Sequence, residues 1–216
     1  MGFRYGIKDK DPRYIYRQVE DGSWKREQVS FISAYGLPSP NVIVSGTRKP
    51  LSAPLPMRFG NMPADGGNLI IEAEDYEKFV YREPAAKRWI KRLAGAEEFI
   101  NNTPRYCLWL VGATAKDIRS MPLVHKRVQA CKKVREQGSQ KHLADTPHLF
   151  RDTINPETAI LVPGVSSENR KYIPLGFIDK NTIATNATLF IAGAGIYEFS
   201  ILTSRMHMVW MRSKRW

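Results

Sequence analysis

Residues 121–138 are the most constrained segment of this sequence, because their pattern fits one regular structure only. Apolar residues recur at steps of three and four positions, which places them on one face of a helix with 3.6 residues per turn. These apolar residues are Met121, Val124, Val128, Cys131 and Val134. The other positions are mostly basic: His125, Lys126, Arg127, Lys132, Lys133 and Arg135. We predict an amphipathic helix packed on a core, with a basic face that is either solvated or follows a polyanion.

The segments before this helix alternate between strand and helix patterns. Two β-favouring runs flank Asp21-Gly22, which predicts a hairpin, and another strand is predicted over residues 41–45. Residues 47–67 are rich in Pro and Gly but also carry large apolar side chains, so we expect an ordered loop laid over the core. A short strand should then pass into a helix near Ala73.

Three further elements are predicted ahead of the amphipathic helix. A helix should start at Pro84 and end at Gly95. The aromatic-rich apolar run of residues 105–113 predicts a central strand. Thr114 follows it as the predicted N-cap of a short helix.

The C-terminal half contains the strand-like runs TAILVPGV, KYIPLGF and TIATNATLFIAGAG, then an apolar closing segment that predicts a buried helix. The predicted fold class is therefore α/β (α+β), with a mixed β-sheet flanked by helices. We expect residues 47–216 to form one domain and residues 1–46 to be a β-rich segment that packs on it.

The charge of the chain indicates a partner class. Lys and Arg number 33 against 21 Asp and Glu, a formal net charge of +12. Such an excess attracts polyanions, so nucleic acid is the first partner to consider. A highly soluble surface, or a basic patch that docks on an acidic protein, would produce the same composition.

Motifs for catalysis are missing from the sequence. There is no phosphate-binding G-x-x-x-x-G-K-[ST] loop, no G-x-S-x-G elbow and no metal-ligand spacing of Cys or His. Cys107 and Cys131 lie within apolar patterns and are expected to be buried thiols. No apolar run is long enough to span a membrane, and no signal sequence is evident, so a cytoplasmic location is expected. The chain is predicted to be a binding module and not an enzyme.

The loop VSSENRKYIPLGF, residues 165–177, is the main candidate for DNA contact. Asn and Arg side chains can make two hydrogen bonds to one base edge, and short hydroxyls and lysines suit phosphates. The candidate residues here are Ser166, Ser167, Asn169, Arg170 and Lys171. Further cationic candidates are Arg48 and Lys49 in one loop, and Arg205 with His207 in the last helix. Internal ion pairs, such as Arg170 with Glu168, are the alternative for each.

Five blocks of the sequence carry a resemblance to a known family. In chain order they are RKPLSAPLPMRFGNMPADGGNLI, GAEEFINNTPRYCLWLV, MPLVHKRVQA, ADTPHLFRDTINPETAILVPGVSSENRKYIPLGF and LTSRMHMVWMR. Together they resemble the C-terminal target-recognition region of type IIG/IIL (Mme-like) restriction–modification DNA methyltransferases. The resemblance runs from about residue 40 to residue 212.

The resemblance implies a function for the chain and cofactors for its parent. It implies a sequence-specific module for double-stranded DNA, joined to an adenine-specific methyltransferase domain that uses S-adenosylmethionine and flips its target base. A fused nuclease in the parent would add Mg²⁺. This chain lacks the family's N-P-P-[YF]-type catalytic motif, so it should hold no cofactor and neither methylate nor cleave DNA by itself. Docking on an acidic partner or on the methyltransferase domain, without independent DNA binding, is the alternative function.

Two departures from the family pattern are visible. The family usually has Arg before the V-S-S-E run, whereas this chain has Gly164. The stretch IAGAGIYEFS replaces the usual IPNATLYEFG. The family also continues past the MVWMR helix, so we expect this chain to be a fragment or the product of a truncated gene.

Overall fold

The computed structural model describes residues 11–33, 35–40, 50, 52–167 and 169–213. The chain divides into two compact units, Met1–Ala53 and Pro54–Trp216. The structure does not test the predicted packing of residues 1–46 on the rest of the chain, and the predicted strand at residues 41–45 lies outside the described residues.

The first unit contains the predicted hairpin. Strands β1 (Arg13–Gln18) and β2 (Trp24–Val29) pair antiparallel, with Gln18 opposite Trp24 at the closed end. Gly22 in the connecting loop has a φ of 81°, a left-handed conformation that glycine adopts without steric cost. The Asp21-Gly22 signal therefore identified the turn correctly.

The second unit holds all the remaining described strands and helices. Its strands are β3 (Met57–Phe59), β4 (Ile70–Glu72), β5 (Ile90–Ala94), β6 (Arg105–Leu108), β7 (Thr158–Pro163), β8 (Gly176–Asp179), β9 (Thr182–Ala184) and β10 (Thr188–Ala192). Its α-helices are α1 (Ala73–Arg82), α2 (Ala96–Asn101), α3 (Ala115–Arg119), α4 (Pro122–Gln137), α5 (Ile196–Leu202) and α6 (Arg205–Ser213). Two 3₁₀ helices, Pro84–Trp89 and Lys141–Leu143, complete the set.

The strands of this unit form two four-stranded sheets. One has the order β3-β10-β7-β8 and is antiparallel throughout. The other has the order β4-β6-β5-β9 and is mixed, because β5 and β9 run parallel. The α+β class and the central position of β6 are confirmed, while the strands are divided among separate sheets.

Helix α4 confirms the amphipathic prediction over most of its length. Met121, Val124, Val128 and Cys131 are buried in the main core, against residues of β4, β5 and β6. The stripe ends differently from the prediction, because Val134 is 43% exposed and Arg135 only 2%. Val134 and Arg135 lie three and four positions after Cys131, and both spacings fit the helical repeat. The polar contacts described below explain why Arg135 is the buried one.

Several predicted elements are wrong in their structure or extent. Of the predicted strand KYIPLGF only Gly176 and Phe177 lie in a strand, β8, and the predicted strand 105–113 ends at Leu108. Residues 84–95 form a 3₁₀ helix followed by β5, because pairing with β6 and β9 buries Leu93 and Ala94. The run 182–195 is divided into β9 and β10, which belong to different sheets. The closing segment forms two helices, α5 and α6, and most of their large apolar side chains are exposed.

Gly60 and Asn61 connect the two sheets within this unit. A side chain at Gly60 would place its Cβ only 2.2 Å from the carbonyl oxygen of Thr185, so only glycine allows this approach. The buried Asn61 amide donates to the carbonyl oxygens of Ala184 and Ile154, at 3.1 and 2.9 Å. Its own oxygen accepts the backbone N–H of Ile154 at 2.8 Å. These bonds fix the end of β9 beside the chain that leaves β3.

Arg135 makes the largest set of side-chain hydrogen bonds among the described residues. Its guanidinium donates five bonds, each between 2.7 and 3.0 Å long, to backbone carbonyl oxygens. The acceptors are Pro63, Ala64, Leu143, Thr146 and Leu149. A guanidinium has five N–H donors in a fixed plane, so this site satisfies its full donor set. Arg135 thereby ties α4 to two irregular segments that have no sheet to order them.

We predict that Arg135→Leu lowers the free energy of unfolding by about 3 to 5 kcal/mol, because all five carbonyls lose the guanidinium and only two of them, those of Leu143 and Thr146, keep a backbone N–H donor among the described residues. Urea denaturation followed by circular dichroism measures this change. Lys133→Leu, at an exposed position of the same helix, is the matched control and should change it by less than about 0.5 kcal/mol. Equal losses in the two variants would contradict the role given to Arg135.

His148 makes stability depend on pH. Burial, and secondarily the positive charge of Arg135, lower the pKa of His148 below its usual value of 6.5. The unfolded chain therefore takes up this proton at a higher pH than the folded chain does. The free energy of unfolding should fall as the pH is lowered through 6.5 toward the folded-state pKa.

We expect His148→Gln to lose less stability than the unmodified chain when the pH is lowered through this window. Urea midpoints measured on either side of it give the comparison. His142→Gln, at an exposed position, should retain the pH dependence of the unmodified chain. An unchanged dependence in His148→Gln would assign the effect to other groups.

Candidate nucleic-acid interface

A groove of about 450 Å³ opens beside the antiparallel sheet of the second unit. It lies between that sheet, the β7–β8 connection (residues 164–175) and helix α6. Its apolar lining includes Leu175, Leu189, Leu202, Met208 and Met211. Its polar lining consists of Ser166, Ser167, Arg170, His207 and Arg212, together with the Tyr172 hydroxyl group. None of the described lining residues is acidic, so the groove favours an anionic ligand.

Residues 164–171 of the β7–β8 connection are termed the recognition loop below. Its described residues form few hydrogen bonds with one another. At its start, the Gly164 N–H donates to the Ala187 carbonyl at 3.2 Å. Farther along, Ser167 accepts from Arg170 N–H through its carbonyl, at 3.1 Å, and from Asn169 N–H through its hydroxyl, at 3.3 Å. Glu168 lies outside the described residues, so its predicted pairing with Arg170 is not tested.

Helix α6 supplies the facing wall of the groove. The Ser204 hydroxyl accepts the His207 N–H at 3.1 Å and so caps the first turn. Met208 is buried and lines the groove, whereas Arg205, Met206 and Val209 are exposed. The helix therefore presents one buried edge to the groove and a wide exposed surface.

Arg212 links helix α6 to the recognition loop. One of its terminal nitrogens, Nη2, lies 2.8 Å from the carbonyl oxygen of Arg170 and 3.2 Å from that of Lys171. Sequence reasoning gave Arg212 no role. The available signal was its spacing, since Arg205 and Arg212 are seven residues apart and share one face of the helix.

The structure brings most of the predicted DNA contacts to one place. Ser166, Ser167 and Arg170 line the groove, and Asn169 and Lys171 are exposed on the same loop. The Ser166 hydroxyl is covered and has no hydrogen-bond partner, so contact with a phosphate would require the loop to move.

Of the predicted contacts outside the loop, His207 lines the groove. Arg205 is exposed at the start of α6 and is not among the residues that line the groove. Arg48 and Lys49 lie outside the described residues. The DNA contacts at these positions remain predictions.

Comparison with known proteins gives one consistent match. The family model described as "MmeI, target recognition domain" matches residues 38–213. This chain belongs to the MmeI target recognition domain family. The resemblance seen in the five sequence blocks is thereby confirmed.

Two known proteins are similar to this chain, one by sequence and one by sequence and structure. DNA methyltransferase A of Bacillus subtilis (strain 168) is 42% identical over 192 residues, which cover 87% of this chain and 22% of that protein. The structure of the type IIL restriction–modification enzyme MmeI in complex with DNA has a TM-score of 0.74 at 38% identity, covering 95% of this chain and 28% of MmeI. The chain thus spans about a quarter of the length of these proteins.

Within this family, the glycine at position 164 has a structural explanation. A Cβ atom at Gly164 would lie 2.9 Å from the carbonyl oxygen of Ala187, closer than real contacts allow. The arginine that the resemblance implies at this position would therefore require the turn between β9 and β10 to shift. In this chain the absence of a side chain at Gly164 leaves room for the Ala187 carbonyl of that turn.

The potential metal ligands among the described residues do not cluster. No group of three or more His, Cys, Asp and Glu side chains among them could hold a metal ion. No described helix is long and apolar enough to cross a membrane. Cys107 and Cys131 are free and buried, as predicted. Burial raises the pKa of Cys107 to about 12 and that of Cys131 to about 11.

We predict that neither thiol of the native target recognition domain reacts quickly with an aromatic disulfide reagent at about pH 8, because the reactive form is the thiolate. The absorbance of the released thiolate measures the reaction. In concentrated guanidinium chloride both thiols should react at once. Rapid reaction of the native chain would show that the reagent reaches at least one of the two thiols.

Proposed function

We propose that this target recognition domain reads a specific base sequence in double-stranded DNA and carries no catalytic activity of its own. Family membership supports the role, and its relatives are named as a DNA methyltransferase and as MmeI in complex with DNA. The observation that carries the proposal is the groove, which brings Arg170, His207 and Arg212 together without an acidic residue in its described lining.

The side chains of the recognition loop suit two kinds of DNA contact. Arg170 and Asn169 can each make two hydrogen bonds to one base edge, which gives discrimination among base pairs. Ser166, Ser167 and Lys171 are suited to phosphates, which contribute affinity but little sequence information. The exposed position of Arg170, Asn169 and Lys171 makes them accessible to a duplex.

Arg205, Arg48 and Lys49 are proposed as contacts to the DNA backbone. Arg205 is exposed on α6, the helix that also lines the groove. A phosphate contact of this kind acts through charge and releases counterions, so its contribution falls as salt rises.

The parent of this chain is proposed to be a cytoplasmic, S-adenosylmethionine-dependent adenine methyltransferase, with Mg²⁺ required if a nuclease is fused to it. The methyltransferase domain would flip the target adenine from the duplex while the present domain holds the enzyme on its sequence. The lengths of the relatives leave room for such domains, since the chain covers 22% of one and 28% of the other.

Binding to a random pool of duplexes tests the proposal. We expect the chain to bind the pool weakly at low salt, with a logarithm of the association constant that falls linearly with the logarithm of salt concentration. Repeated selection from the pool should enrich one sequence. No binding at low salt, together with binding to an acidic methyltransferase domain, would favour the protein-docking alternative.

We predict that Arg170→Ala weakens binding to the selected duplex about tenfold, because a two-bond contact to a base edge is lost. Titration with fluorescently labelled duplex measures the change. Arg119→Ala is the matched control: it removes the same charge from an exposed position on α3, outside the groove lining. An unchanged salt slope in Arg170→Ala would assign the residue to a base, and a slope reduced by about one would assign it to a phosphate. Equal affinity losses in the two variants would remove Arg170 from the interface.

A further inference from the structure

Among the described residues of the recognition loop, few hydrogen bonds restrain the part that carries Arg170 and Lys171. The bonds among its described residues converge on Ser167, ahead of these two side chains. Beyond them the chain has no regular structure until β8 begins at Gly176. Lys171 contributes only a weak contact, with its Nζ 5.7 Å from the centre of the Tyr172 ring.

Arg212 donates hydrogen bonds to the part of the loop that carries Arg170 and Lys171. Its Nη2 donates to two consecutive carbonyl oxygens, at 2.8 Å to Arg170 and 3.2 Å to Lys171. Within the described part of the chain, Arg212 forms no ion pair with a carboxylate. Its charge is therefore directed at the loop backbone, where a charged donor makes a stronger bond than a neutral one.

Fixing these two carbonyls also fixes the directions of the side chains beside them. A carbonyl held in place restricts the backbone dihedrals of its own residue, and the Cα–Cβ bond turns with that backbone. Discrimination between bases depends on paired hydrogen bonds and so on a well-defined side-chain direction. Non-specific attraction to phosphates depends mainly on the presence of the charge.

We propose that Arg212 is a positioning residue, which orders the recognition loop on helix α6 so that Arg170 and Lys171 present one arrangement to DNA. The proposal rests on the proposed function of the domain. It separates sequence discrimination, which depends on Arg212, from overall affinity, which depends on the number of positive charges.

The helix offers a matched control for this residue. Arg205 lies seven positions earlier on the same face of α6 and is likewise exposed, but its side chain has no hydrogen bond to another described residue. Arg212→Met and Arg205→Met therefore remove the same charge, and only the first removes the bonds to the loop. Arg212→Lys keeps the charge and a donor and serves as the conservative variant.

Limited trypsin digestion of the full chain without DNA tests the positioning directly. Trypsin cleaves after Arg170 and Lys171, and its rate follows the fraction of time that this segment is open. We expect Arg212→Met to be cut at these bonds about fivefold faster than the unmodified chain. Arg205→Met should match the unmodified chain, and Arg212→Lys should be intermediate. Equal thermal unfolding midpoints of all four proteins would show that the fold is retained.

Selection from the random duplex pool then tests whether loss of Arg212 reduces discrimination between DNA sequences. Arg212→Met and Arg205→Met should lose similar affinity for the unselected pool at low salt. Only Arg212→Met should lose most of its preference for the selected sequence, by about tenfold relative to the control. Arg212→Lys should recover part of that preference.

The outcomes separate the two proposals. Unchanged cleavage at Arg170 and Lys171 in Arg212→Met would overturn the positioning role. Faster cleavage in Arg212→Met with an undiminished preference for the selected sequence would show that the order of the loop does not control sequence discrimination. This result would also overturn the proposed role of Arg212. If the unmodified chain enriches no sequence, the proposed function of the domain fails and the discrimination role of Arg212 fails with it, whatever the digestion shows.

Discussion

The buried guanidinium of Arg135 is the interaction on which the second unit depends. It donates to five carbonyl oxygens from two irregular segments, residues 63–64 and 143–149. Neither segment can bond its backbone within a sheet, and buried carbonyls without donors are costly. A single rigid, fully satisfied cation on α4 therefore supplies hydrogen bonds to carbonyls that no sheet pairs.

A series of hydrogen bonds connects the segment held by Arg135 to the start of the recognition loop at the groove. Asn61 lies two residues before the carbonyls that Arg135 holds, and it bonds the backbone of Ala184 at the end of β9. Its own carbonyl accepts the N–H of Asn186 at 3.1 Å, which fixes the turn into β10. The next residue of that turn, Ala187, accepts the N–H of Gly164 at the start of the recognition loop. Each step is a contact between backbones or with a buried amide, so the loop begins from a well-defined point.

The recognition loop combines a rigid start with an end held by one exposed side chain. Its first residue is fitted so closely to the β9–β10 turn that a Cβ would collide with the Ala187 carbonyl. Its last residues are held by Arg212 from another element of the fold. This division suits a surface that must present defined side chains and still adapt to a duplex. The covered Ser166 hydroxyl, which has no partner, lies between the two fixed points.

Local patterns determined several elements of this protein from sequence alone. The Asp21-Gly22 turn, the start of α1, the Thr114 cap and the buried stripe of α4 were predicted because turn chemistry and helical repeats act over a few residues. The family was also readable, since five sequence blocks carry the resemblance. The segment Ile90–Ala94 was mistaken for the continuation of a helix, because pairing with β6 and β9, distant in sequence, decides its conformation.

Only the tertiary structure decided what the basic side chains do. The sequence placed Arg135 on a basic helical face that was either solvated or followed a polyanion, and it gave Arg212 no role. In the structure Arg135 is buried among carbonyls, and Arg212 donates to the backbone of the recognition loop. Composition counts a positive charge wherever it occurs, but the function of that charge depends on which acceptors the fold brings to it. These acceptors come from segments 8 to 72 positions away for Arg135 and 41 to 42 positions away for Arg212, beyond the reach of any local pattern.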